Sequence, residues 1–265
     1  IGVAGDLAGA SGPRKYLVAF QNSAEARGTG GIIGGYALVE IKNGKFKVLR
    51  VGPNTDLVSM RKLPIKVSSE YYKIYGDDPA IWQNSNISPN YPYAVRIWSA
   101  LWEKQFNEKI DGVIATDPIA LSYLLSATGP IKLTSGEIID SKNVVEKTLS
   151  TAYVRFENEN YLRKEYLVEI FRAAYQKLAE EEFSKLGAIK AVIKSLHENR
   201  ILIGFNDNLL ERTIVNSKIS GNLNFSNSNE FRSVVVNTSG NKLDYYLDRR
   251  IKLETTSCGK RTGIE

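Results

Sequence analysis

Two apolar runs, Tyr36–Ile41 and Phe46–Val51, flank the tetrapeptide Lys42-Asn43-Gly44-Lys45. Asn-Gly accepts the positive φ angles of a two-residue turn, so this stretch predicts a tight β-hairpin. A third apolar run, Tyr16–Phe20, precedes it and reads as another strand. Between them stands FQNSAEARGTGGIIGG, residues 20–35, in which Gln21, Asn22, Glu25 and Arg27 run into five glycines. One reading is a solvated turn between strands. The other is a floor of bare backbone amides that an anion approaches closely, with Glu25 and Arg27 at its edge.

The rest of the sequence surrounds these strands with helices. Ser68–Tyr75 reads as a short helix. After Pro92, the residues Val95, Trp98, Leu101, Trp102 and Phe106 recur at helical spacing. DGVIATD is a short strand, and PIALSYLLSATGP a helix with proline at its start and glycine at its stop. Asn143–Phe156, Tyr161–Phe183 and Ala188–Glu198 carry helix-period apolar residues. RILIGF is a buried strand, NDNLLERTIV a capped helix and NLNFSNSNEF a polar loop. The end reads as a C-terminal β-hairpin, Ser233–Asn237 against Lys242–Glu254 around TSGN. Strands first, helices in the middle and strands last predict a single α/β domain over 14–254, a central mixed β-sheet flanked by helices. Residues 255–265 read as a tail. The opening, IGVAGDLAGASGP without Met, reads as a linker over 1–13 from a missing N-terminal region, expected to be a membrane anchor.

Several functions are excluded by what the chain lacks. One cysteine, Cys258, forbids an internal disulfide, and one histidine, His197, leaves little for zinc or a Ser-His-Asp triad. The glycines fail the dinucleotide fingerprint, because Ile33 stands where the third glycine belongs and a strand follows. Ser59-Met60-Arg61-Lys62 matches Ser-x-x-Lys without a Lys-Thr-Gly companion. A net charge of +6 suits an anionic partner, but no basic run is interleaved with aromatics, which argues against nucleic acid. Asp56 in the loop after the hairpin, Asp117 at a strand end, and Lys242 with Asp244 remain as charged candidates.

The stretches RKYLVAFQNSAEARGTGGIIGGYALVEIKNGK, NSNISPNYP, DGVIATDPIALSYLLSATGPI and NTSGNKLDYYLDRR together resemble a bacterial cell-surface domain of unknown function, common in actinobacteria. The resemblance runs from about Gly12 to Ile251. It implies a membrane-anchored protein on the extracytoplasmic face of the cell membrane. The order of elements is also similar to the LytR-CpsA-Psr phosphotransferases, α-β-α proteins that move glycopolymers from a polyprenyl-pyrophosphate carrier to the wall. In that comparison Arg27-Gly28-Thr29 takes the place of an Arg-Ser/Thr-Asp motif and Gly52–Asp56 that of a Pro-Arg-Asp motif. Asn84 or Asn86 matches the Asn before that family's helix. The first motif's aspartate and the second motif's arginine are both missing here.

The resemblance implies catalytic roles for Arg27, Glu25, Asp56 and Asp244, with Glu25 and Asp56 holding magnesium or manganese. It places Asn22, Gly30, Gly31, Asn84, Lys242, Tyr246 and Arg249 around the ligand. The implied partner is a phosphorylated lipid-linked glycan or wall polymer. The alternative is a non-catalytic binding or adhesion domain on the same fold.

Overall fold

The computed structural model describes residues 3–179, 183–223, 231–253, 255–258 and 261–264. After helix α1 (Val3–Leu7), strand β1 (Arg14–Arg27) runs antiparallel to β2 (Gly30–Lys42), and β2 antiparallel to β3 (Lys45–Pro53). Asn43 and Gly44 turn the second hairpin at φ of 50° and 73°, as their types require. A 3-10 turn, Asn54–Asp56, and α2 (Ser69–Tyr75) lead to α3 (Tyr91–Phe106). Then come β4 (Gly112–Thr116), α4 (Pro118–Thr128), and the short strands β5 (Ile131–Lys132) and β6 (Ile138–Ile139).

The helical middle is α5 (Val144–Glu146), a π-helical turn Lys147–Thr151, α6 (Ala152–Arg155), α7 (Asn160–Ala179) and α8 (Lys185–His197). β7 (Ile201–Phe205) and α9 (Asn208–Ile214) follow, the latter capped by the Asp207 carboxylate. The sheet order is β3-β2-β1-β4-β7, with β1 and β4 parallel and the other pairs antiparallel. This is the expected single α/β domain with a mixed sheet.

Alternation along the strands gives the sheet two apolar faces. Leu17, Ala19, Tyr36 and Leu38 join Trp98, Leu101 and Trp102 of α3 in the main core. Val18, Phe20, Ala37 and Val39 face the other way, toward α4, α7 and α8. The middle helices are therefore a layer over that second face, which explains their apolar periodicity.

The C-terminal hairpin is the main correction. Among the described residues of 233–253 there is no strand, only a 3-10 turn at Leu243–Tyr246. The reason lies in where the polar groups go. The Asn237 N–H donates to Ala26 O at 2.9 Å and Asp244 Oδ2 accepts the Ala26 N–H at 2.9 Å. The segment thus straps itself across the tip of β1 instead of pairing with itself. An antiparallel pair does form later, between β8 (Thr255–Cys258) and β9 (Arg261–Ile264). Glu254, most of the polar loop at 222–231, and residues 180–182 of the expected helix Tyr161–Phe183 lie outside the described residues.

The two hairpins make different demands on glycine. A Cβ on Gly31 would stand 2.0 Å from Asn22 O, a backbone atom, whereas one on Gly44 would meet open space. Gly31→Ala is expected to cost about 3 kcal/mol through forced backbone movement, and Gly44→Ala about 1 kcal/mol through its positive φ. Urea midpoints of the two variants check this, and equal losses would contradict it.

Candidate functional site

FQNSAEARGTGGIIGG is neither a loop nor a glycine floor. It is the far half of the β1–β2 hairpin, closed by Gly28 and Thr29, with Arg27 paired to Gly30. The register steps from Asn22↔Ile32 to Ala26↔Gly31, so Ser23, Ala24 and Glu25 bulge out of β1 against no extra residue of β2. Asn22 Oδ1 holds the bulge by accepting the Ala24 N–H at 3.0 Å. Gly31 permits it, because any side chain there would strike Asn22. Gly30 sits at φ 137°, where only glycine is comfortable.

The bulge delivers Glu25 to a basic cluster. Its carboxylate pairs with the Lys242 ammonium, and both side chains are largely withdrawn from water. Asn22 Nδ2 donates to Tyr153 Oη at 2.6 Å. The Tyr153 ring receives Lys242 Nζ at 4.3 Å and the Arg163 guanidinium at 4.5 Å from its centroid. Lys164 Nζ, one residue along α7, donates to Asn54 Oδ1 at 2.6 Å, and Asn54 Nδ2 donates to Ile33 O at 2.8 Å. Arg163 Nε is buried and has no partner.

Among the described residues three cations therefore gather near one carboxylate, and burial lowers the pKa of the two lysines. Burial, then repulsion from Arg163 and Lys242, pushes the Lys164 pKa down to about 8, with Glu25 opposing. Burial likewise lowers Lys242, although its bond to Glu25 holds the charge in place. Burial, with Glu25 nearby, pushes Tyr153 up to about 12. A lysine whose folded pKa lies below its ordinary 10.5 destabilises the fold while both states are charged. That penalty is relieved as pH rises from about 8 to 10.5. A site that tolerates such strain is suited to a ligand that supplies negative charge.

Arg27 is not free to clamp a phosphate. Its Nε donates to Gln83 O at 2.9 Å, and Nη1 donates to Ala26 O at 3.0 Å and to Asn237 O. It is a buried latch between the hairpin tip, the loop before α3 and the C-terminal strap. Asp244 completes that latch, taking Asn237 Nδ2 at 2.7 Å besides the Ala26 N–H.

Asp56 stands apart, exposed on the α3 side, with Tyr36 Oη at 3.4 Å. Asn54 of the same turn, not Asp56, reaches the cluster. Glu25 and Asp56 thus have different partners on opposite faces of the sheet. Among the described residues no three His, Cys, Asp or Glu side chains gather to hold a metal. Glu25 and Asp56, held apart, do not among the described residues make a donor set that fits a divalent ion.

The remaining candidates divide. Asn22 and Lys242 belong to the cluster, and Tyr246 touches its border through Ser150 Oγ at 3.0 Å. Arg249 is elsewhere, bonded to Ser233 Oγ at 3.1 Å. Asn84 only shapes a backbone turn, whereas Asn86 is fully buried and donates to Thr29 Oγ1 and Gly31 O, both at 2.9 Å. Tyr153, Arg163, Lys164 and Asn54 were not anticipated. The available signal was Lys164 itself, a lysine at helical spacing with buried Val168 and half-buried Phe171 and Tyr175 on α7.

That apolar stripe leads from the cluster into a cavity. Phe171 stacks on Phe20 at 3.8 Å, and beyond the pair a cavity of about 200 Å³ lies between the sheet and α4, α7 and α8. Val18, Ala37, Val39, Leu124 and Leu178 make its walls, with Asp117 and Ser195 among the few polar groups. Asp117 caps α4 and takes Arg200 Nη1 at 3.1 Å. Lys164 precedes Phe171 by seven residues, about 10 Å along the helix. A larger open cleft of about 880 Å³ lies on the other side of the hairpin tip, against Arg27 and Arg249. Of the arginines that line it, Arg27 and Arg249 donate to oxygens of the chain.

If Arg27 is a latch, Arg27→Gln should cost about 3 kcal/mol by leaving three carbonyls without their charged donor. Arg249→Ala, on an exposed residue, should cost less than about 0.5 kcal/mol. Denaturant midpoints separate the two, and a neutral Arg27→Gln would contradict the latch.

No curated protein matches. Among solved structures, TagV of Bacillus subtilis gives a TM-score of 0.39 at 14% identity, over 79% of this chain and 80% of that one. The gbs0355 protein of Streptococcus agalactiae gives 0.41 at 13%, over 83% and 77%. The transcriptional regulator yvhJ of Bacillus subtilis gives 0.39 at 12%, over 95% and 88%. Likenesses this loose decide neither activity nor ligand. A family profile described as a protein of unknown function, DUF4012, matches residues 11–153, from Ser11 before β1 to Tyr153 of the cluster. That is more than half of the 265 residues, and the chain belongs to the DUF4012 family of proteins of unknown function.

Proposed function

We propose that the chain binds an amphiphilic phosphorylated lipid of the polyprenyl-phosphate type at the outer face of the bacterial cell membrane. Its phosphate would rest on Lys164, Lys242 and Arg163, and part of its hydrocarbon chain would fill the cavity beyond Phe20 and Phe171. The observation that carries this reading is Lys164, a largely desolvated ammonium of intermediate exposure at the head of an apolar stripe that ends in a cavity. A ligand that is charged at one end and apolar at the other answers both features. The unpartnered Arg163 Nε adds a donor that a phosphate oxygen would satisfy.

Binding is favoured over glycopolymer transfer. Arg27 already donates to chain carbonyls, and Glu25 is neutralised by Lys242. The Glu25 carboxylate occupies the position of an anion among the cations, so an incoming phosphate competes with it. The extracytoplasmic location rests on the resemblance to cell-surface domains.

Titration with farnesyl monophosphate, with farnesol as the uncharged control, tests the reading. Lys164→Met should weaken farnesyl phosphate binding by about tenfold or more while melting no lower than the parent. Glu25→Gln should strengthen it several-fold, the opposite of what a metal-holding carboxylate would show. Affinity should fall as pH rises through about 8, where Lys164 loses its proton. Equal binding of farnesol, or full affinity in Lys164→Met, would refute the proposal.

A further inference from the structure

Helix α8 packs the wrong way round for a helix in water. Its small residues turn inward: a Cβ on Gly187 would lie 3.1 Å from Ala127 of α4, and Ala191 and Ser195 line the apolar cavity. Its large apolar residues turn out. Leu186, Ile189 and Ile193 are 64%, 56% and 55% exposed, and Val192 is 41% exposed. At 3.6 residues per turn these four share one arc opposite Ala191.

What borders the arc indicates what covers it. Lys190 and Lys194 follow it on one side, and α8 contains no Asp or Glu. Val192 belongs both to the arc and to the cavity wall, which it shares with Phe46 of β3, itself 42% exposed and flanked by Lys45 and Lys47. An exposed apolar arc with lysines along its edge is the pattern of a helix lying in a lipid interface, the lysine stems reaching back to the headgroups. An antiparallel meeting of two copies through this arc would instead set like charges edge to edge.

We propose that α8 docks the chain on an anionic lipid surface, with the arc from Leu186 to Ile193 in the boundary between headgroups and acyl chains. Docking there presents the cavity rim at Val192 and Phe46 to the bilayer. Only this last consequence rests on the lipid-binding reading above. Glu180, Glu181 and Glu182 precede the helix in sequence, and Glu198 after it lies 4.0 Å from Lys194. These carboxylates oppose the attraction, so apolar insertion supplies most of the binding.

The test is flotation of the full chain with phosphatidylcholine vesicles, with and without phosphatidylglycerol. The chain should float with the mixed vesicles and less with phosphatidylcholine alone. The double variant Ile189→Glu/Ile193→Glu should lose about tenfold or more of that binding, yet keep the parent's melting curve and its farnesyl phosphate affinity. Lys164→Met should float as the parent does. Flotation of the double variant at the parent's level would overturn the proposal, as would no flotation of the parent. Concentration-dependent dimers that the double variant abolishes would also overturn it, assigning the arc to a second copy. Loss of farnesyl phosphate binding with flotation intact would count against the bound lipid alone and leave α8 docking standing.

Discussion

The close approach of Gly31 to Asn22 is the contact on which the rest of the site depends. It lets β1 carry three more residues than β2 at one step, which throws Glu25 out of the hairpin toward α6, α7 and the C-terminal strap. Without the bulge, strand alternation would have put Glu25 and Arg27 on one face as equals. With it, their tasks separate. Glu25 meets Lys242, while Arg27 at the strand end binds three backbone carbonyls and fixes the tip to the loop at Gln83 and the strap at Asn237.

Charge is then distributed unevenly across the fold. Surface pairs such as Arg14 with Asp111 and Lys15 with Glu108 balance locally. Around Tyr153 the balance fails among the described residues, since Lys242 pairs with Glu25 while Arg163 and Lys164 stand by as further cations. Desolvation makes that imbalance costly, because a buried charge is tolerated only with partners. The imbalance stands at one end of an apolar cavity, and the two features together define an amphiphilic site.

Much of the fold was legible because it rests on local rules. Asn43-Gly44 dictated its turn, Pro118 and Gly129 bounded α4, and the Trp98–Trp102 spacing marked α3. The terminal hairpin was misjudged because alternation in KLDYYLDRR looks the same whether a strand pairs with itself or is taken by another element. Asp244 and Asn237 chose the tip of β1, a contact more than two hundred residues away in sequence. The site was half legible for the same reason. Glu25, Asn22 and Lys242 stood in conspicuous polar stretches, but Tyr153 and Lys164 sat within helices whose periodicity suggested only core. Asn54 and Asp56 are two residues apart, and nothing local says which faces the cluster.

The most direct measurement is a structure of the chain with a short-chain prenyl phosphate bound. The account predicts phosphate oxygens within hydrogen-bond distance of Lys164 Nζ and Arg163 Nε, Glu25 displaced from Lys242, and the prenyl chain beyond Phe20 and Phe171. A phosphate seated in the cleft beside Arg27 and Arg249, with the Glu25–Lys242 pair intact, would contradict it.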